Sequence, residues 1–132
     1  GLTLNYATMD IESGTDSTDG DVDVLKASYA YGPVTATYSA LDYDVSDTST
    51  AKETTSYALS YTVTDDLSVT YGSETHERGD SSNDIEIDGI SVSYTTGGMT
   101  ISAASQSGEN FNHSTSSNLD VDYWSLGASF AF

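Results

Sequence analysis

The sequence lacks cysteine, has a single proline and three basic residues, and contains no long apolar run. Without cysteine, no disulfide framework can hold a small secreted scaffold together. Three Lys and Arg against 21 Asp and Glu give a formal charge of −18. Such a surface repels phosphate, so nucleic acid is not an expected partner. With 36% hydrophobic residues and a mean hydropathy of −0.34, no stretch approaches the ~20 apolar residues that a membrane helix needs. That scarcity does not exclude strands in a membrane. A spanning strand needs only ~9–11 residues, of which alternate ones face lipid. A signal peptide is also missing, since Gly1-Leu-Thr-Leu-Asn-Tyr6 opens directly on a strand pattern; a mature chain or a fragment is expected.

What the chain does have is alternation. Leu2, Leu4 and Tyr6 alternate with Thr3, Asn5 and Ala7 in a first segment of about residues 1–12. Leu25, Ala27, Tyr29 and Tyr31 alternate with Lys26, Ser28 and Ala30 over about 22–31, and Val34, Ala36 and Tyr38 with Thr35, Thr37 and Ser39 over about 34–43. The clearest hairpin places Tyr57, Leu59, Tyr61, Val63, Leu67, Val69 and Tyr71 on one face, with small or polar residues between them. A less regular strand covers about 84–95. There Ile85 and Ile87 fall out of phase with Ile90, Val92 and Tyr94, and a bulge near Gly89 is expected to reconcile them. Met99–Gln106 and a closing strand complete about eight strands. Long polar loops are predicted at about 13–21, 44–54, 73–83 and 107–118, alternating with short turns at Gly32-Pro33, Thr64-Asp-Asp66 and Thr96-Gly-Gly98.

The last stretch carries the most specific signal. Phe132, Phe130, Ala128, Leu126 and Trp124 share one face, and Ala131, Ser129, Gly127, Ser125 and Tyr123 share the other. Soluble strands seldom finish on bare aromatics, because chain ends fray into water. The expected fold is therefore all-β, an antiparallel up-and-down transmembrane β-barrel with short turns at one end and long loops at the other. Tyr31, Tyr61, Tyr94, Phe130 and Phe132 lie near the short turns, and Tyr38, Tyr57, Tyr71 and Trp124 farther along, as two interfacial girdles would. Leu59 and Val69 fall between them as lipid-facing residues, whereas Lys26, Ser60, Thr70 and Ser102 are expected to face a lumen. Eight strands would make a lumen that large side chains must fill. Here the inward positions are mostly Ser, Thr, Ala and Gly, with Lys26, Met9 and Leu41 as exceptions, which points to a wider, water-filled ring.

Through Tyr57–Gly72 and Tyr123–Phe132 above all, the chain resembles the carboxy-terminal half of a Gram-negative outer-membrane general-diffusion porin. That resemblance implies a barrel of about 16 strands, a homotrimer, a constriction loop, contacts with membrane lipid and lipopolysaccharide, and a terminal Phe read by the barrel-assembly machinery. It also implies a basic cluster facing acidic residues in the pore. The only cations here are Lys26, Lys52 and Arg78, so no constriction residue is carried over. The expected function is passive diffusion of small hydrophilic solutes through the bacterial outer membrane, with a preference for cations. Two alternatives stand beside it: a small eight-stranded barrel that anchors or adheres, and a soluble acidic extracellular β-rich surface or filament subunit.

No enzyme is expected. His76 and His113 fall in predicted polar loops without partner spacing, and no Gly-x-Ser-x-Gly elbow occurs. Glu74 with Glu77, and Asp84, Glu86 and Asp88, read as a solvated rim rather than as carboxylate pairs for acid-base work. Asp16, Asp19, Asp21 and Asp23 around Gly20 are the candidate Ca²⁺ ligands, since clustered carboxylates on a turn suit a hard cation, although the spacing is not that of an EF-hand. A plain acidic loop is the alternative, and no other cofactor is expected.

Overall fold

A computed structural model describes residues 1–12, 19–45, 51–114 and 119–131. The chain forms one antiparallel sheet of eight strands in sequence order: β1 (Leu2–Ile11), β2 (Gly20–Tyr31), β3 (Val34–Val45), β4 (Lys52–Thr64), β5 (Leu67–Arg78), β6 (Ile85–Thr96), β7 (Met99–Glu109) and β8 (Val121–Phe130). A 3-10 turn at Phe111–His113 follows β7. Each strand pairs with its neighbours in the chain, and β1 and β8 remain as two edges, so the sheet does not close on itself.

Local chemistry accounts for the turns. Gly32 has φ 56°, and Gly97 and Gly98 have φ 55° and 80°, left-handed values that glycine adopts without a Cβ clash. Two consecutive residues of positive φ suit the right-handed twist of a two-residue hairpin. At the third short turn, Asp65-Asp66, the register slips between Thr62 and Thr64, so Val63 is a bulge residue rather than the end of the alternating row.

Two expectations about strand limits are corrected. Residues 73–78 belong to β5 and not to a loop: Ser73 to Arg78 pair in unbroken register with Tyr57 to Lys52. β6 has no bulge at Gly89, which sits in the regular row Gly72↔Gly89↔Gln106. Ile85 and Ile87 therefore keep the opposite facing from Ile90. They pack there because the chain after β7 turns back over the sheet: a Cβ on Gly108 would fall 2.5 Å from the Phe111 ring and 3.6 Å from Ile87.

The sheet has almost no core. Val45 is the one buried hydrophobic residue among those described, and two dozen large apolar side chains are exposed, Trp124 at 76% and Leu126 at 70% among them. The accessible surface is 8947 Å², where a compact 13.9 kDa chain would present about 6,700 Å². A single sheet cannot bury both of its faces, and this one buries neither.

Candidate functional site

The functional surfaces are the two faces of the sheet, and register assigns every paired strand residue to one of them. The apolar face carries the row Tyr31, Val34, Tyr61, Val69, Val92, Ala103, Leu126 across β2 to β8, and above it Leu2, Tyr29, Ala36, Leu59, Tyr71, Ile90, Ser105, Trp124 across β1 to β8. Tyr57, Tyr94 and Phe130 belong to the same face. The expected lipid-facing set therefore shares one side, apart from Phe132, which lies outside the described residues. Lys26, Ser60, Thr70 and Ser102 share the other side. Ser60 and Thr70 are directly opposite and hydrogen-bonded at 2.8 Å.

The small-residue face is concave. A trough of about 500 Å³ runs over it from Thr37 through Ser56, Ala58, Thr70, Gly72 and Gly89 to Gln106. A second hollow continues to Lys26 and Asn5 and shares Thr37 and Ser56 with the first. In the first hollow the directly opposite Gly72 and Gly89 contribute no side chain, and the Gln106 side chain reaches over Gly89.

Charge divides by face. Every carboxylate in a paired strand position except Glu74 lies on the apolar face, whereas Lys26, Lys52 and Arg78 all lie on the small-residue face. On the apolar face the carboxylates stand at the long-loop ends, above the apolar residues. Asp23, Asp42, Glu53 and Glu77 form one row, and Asp10, Asp21 and Asp44 another. Tyrosines straddle the border with rings among apolar neighbours and hydroxyls on carboxylates: Tyr6 donates to Asp23 at 2.7 Å and Tyr71 to Asp88 at 2.6 Å.

This border crosses the strands obliquely. The perpendicular row through Asp122 on β8 reaches Leu4 on β1, six residues short of Asp10, the first β1 carboxylate. Six residues at ~3.3 Å against seven interstrand steps of ~4.8 Å give a slope of about 30°. The lower edge slopes the same way, since the row of Tyr31 meets β8 at Leu126, four residues before Phe130. That slope is about 25° on the same spacings. The aromatic residues follow both edges.

Like charges opposite one another destabilise a sheet, and two groups beyond the apolar band register it. The carboxyl of Asp21 is raised above its usual range by desolvation and then by Asp10, and that of Glu77 by desolvation and then by Glu53 and Asp84. A carboxyl raised in the folded state binds its proton more tightly there than in the unfolded chain. Its penalty is absent below the unfolded pKa and grows as pH rises through the folded one. Lowering the pH from 7 toward 4.5 is therefore expected to raise the melting temperature, and Asp21→Asn with Glu77→Gln to flatten that dependence; thermal melts followed by circular dichroism check it.

Of the candidate Ca²⁺ ligands, Asp16 lies outside the described residues. Asp19 precedes β2, and Asp21 and Asp23 are strand residues of the apolar face. Among the described residues no group of three or more His, Cys, Asp or Glu converges as a metal would require. One of the two histidines is corrected too. His76 is not a loop residue but part of β5, with its Nδ1 3.0 Å from Thr54 Oγ1 and its Nε2 2.7 Å from Glu74. Glu74 and Glu77 face opposite ways. His113 holds the 3-10 turn, its Nδ1 2.8 Å from the Asn83 carbonyl oxygen. Compared with family models, curated proteins and solved structures, the chain matches none.

Proposed function

We propose that this sheet is part of the wall of an outer-membrane porin: a water-filled channel, of about 16 strands by the resemblance noted above, for passive diffusion of small hydrophilic solutes. The observation that carries the reading is the oblique, two-sided border of the apolar band. A partner protein would present an irregular outline, whereas a bilayer is a slab with flat faces. Strands tilted in such a slab, typically by 35–45°, carry band edges displaced steadily from one strand to the next, and both edges here drift together by about 25–30°. The concave face of hydroxyls and glycines then lines water, which satisfies those hydroxyls without side chains to fill the space. On this reading lipid and lipopolysaccharide are the partners of the apolar face and its acidic border, a homotrimer is the expected assembly, and no cofactor takes part.

The facing of the charges refines the expected ion preference. Carboxylates on β2 do not ring the lumen, because Asp21 and Asp23 are on the apolar face; Glu74 is the strand carboxylate on the concave one. Groups separated from the ion path by the sheet and by more than a Debye length of ~8 Å are screened at physiological salt. We expect a cation preference that weakens with salt, from the overall negative charge, and a larger loss of it from Glu74→Gln than from Asp21→Asn and Asp23→Asn together. Reversal potentials in planar bilayers under a KCl gradient measure this. Anion selectivity at low salt would overturn the preference, and no conductance above that of bare lipid would overturn the channel.

A further inference from the structure

The concave face carries a second feature, at its long-loop end. Lys52 and Arg78 are directly opposite one another on β4 and β5, so two of the three cations in a chain of charge −18 are neighbours on one face. Like charges so placed repel. Arg78 donates from Nε to Asp80, which leaves the two η nitrogens of its fork without a partner among the described residues. The Lys52 ammonium has no hydrogen bond or ion pair among them. Beside this pair is a hollow of about 350 Å³ whose other lining residues are Thr54, His76, Glu77, Ile85, Ile87, Phe111 and His113, with Glu77 belonging by register to the opposite face. Glu74, the strand carboxylate of this face, is bonded to His76 at 2.7 Å and does not line the hollow.

The aromatic wall is held there at a cost. Asn110, Asn112 and His113 have φ of 57°, 60° and 54°, left-handed values that are unfavourable for residues with a Cβ. The turn persists because Asn110 donates to the Asp84 carbonyl at 3.1 Å and His113 is bound to Asn83 at 2.8 Å. Strain of this kind concentrates at ligand clamps. Its effect here is to lay the Phe111 ring over Gly108, beside Ile87 and facing the cation pair.

We infer that this hollow binds a small organic anion with a flat apolar body, an aromatic carboxylate in chemical class. The carboxylate lies between the Lys52 ammonium and the η nitrogens of Arg78, where charge-assisted bonds relieve the repulsion of the pair. Its ring lies against Phe111, Ile85 and Ile87. The inference requires only that the concave face be wet, and it stands or falls separately from the channel reading. The test is equilibrium binding of benzoate to the full chain folded in detergent, with acetate and benzyl alcohol as probes lacking the ring and the charge. Benzoate should saturate one site at least about tenfold more tightly than either. Lys52→Gln and Arg78→Gln should each weaken it about tenfold, Phe111→Ala should erase its advantage over acetate, and Lys26→Gln should leave it unchanged. Lys52→Arg, which keeps the charge, should keep most of the affinity. Benzoate binding no tighter than acetate, or an equal loss from Lys26→Gln and Lys52→Gln, overturns the site.

Discussion

Leu59→Arg and Val69→Arg should each block assembly into membranes, while Ser60→Arg and Thr70→Arg, one residue away along the same strands, should be tolerated. Leu59 lies opposite Tyr71, and Val69 opposite Tyr61, well inside the apolar band. A cation near the middle of a bilayer on the lipid side of a barrel costs roughly 2–4 kcal/mol. That is a large part of the 5–15 kcal/mol by which a domain is stable. Ser60 and Thr70 face the concave trough, where an arginine meets water and loses only the 2.8 Å hydroxyl pair. The contrast appears as loss of the fast-migrating folded form on unheated gels for the first two variants only. Equal damage from both pairs would mean that the band is not a lipid surface.

A second large effect is expected from removing the three residues after Ser129. Phe130 is opposite Met99 at the lower edge of the band, and the Ala131 amide donates to the Gly98 carbonyl at 2.8 Å, tying the end of β8 to the β6–β7 turn. On the porin reading this truncation removes an interfacial aromatic as well as that tie, and the ring alone is worth about 1.5–3 kcal/mol, enough to lower the folding equilibrium constant by a factor of ten or more. By the porin resemblance, the loss of Phe132 also removes the signal read by the barrel-assembly machinery. Folded yield in the outer membrane, compared with full-length chain, measures the effect. Undiminished yield would show that β8 is held by its other contacts.

The strands with apolar alternation were legible in the sequence because a residue repeat of two needs no tertiary information: β1, the β4–β5 hairpin and β8 are where alternation places them. The upper half of β5 was not legible. Glu74, Thr75, His76, Glu77 and Arg78 have no apolar member, yet the strand continues because its backbone is paired with β4 throughout and with β6 as far as His76, while its side chains reach water or the acidic border. Polarity there reports where the strand stands, not that the strand has ended. The same blind spot hid the facing of the charges. Asp21 and Asp23 share the parity of Leu25, Ala27 and Tyr29, so their place on the apolar face could have been read by continuing the alternation past the first carboxylate.

Ile85 and Ile87 failed for a different reason. Their parity was read correctly, but a bulge was inferred to bring them to the apolar side, since nothing in their own segment indicated a cover for them on the other. The cover is Phe111, two dozen residues later, held by a turn whose three left-handed residues are two asparagines and a histidine. Asparagine tolerates that conformation better than most residues, and Asn110 with Asn112 was the one local hint. The slope of the band was equally out of reach, because it depends on interstrand register, which neither composition nor alternation within a strand specifies.

The most direct test of the two-faced account uses the absence of native cysteine, which makes any introduced thiol unique. Single cysteines at Leu59, Val69 and Leu126 on one face, and at Ser60, Thr70 and Ser102 on the other, are each reconstituted in lipid vesicles and exposed to a membrane-impermeant thiol reagent and, as spin labels, to oxygen dissolved in the bilayer. The account predicts that the first three are protected from the reagent and strongly relaxed by oxygen, and that the second three react rapidly and are little relaxed. Rapid reaction at all six positions, with the chain monodisperse in the absence of detergent, would contradict it.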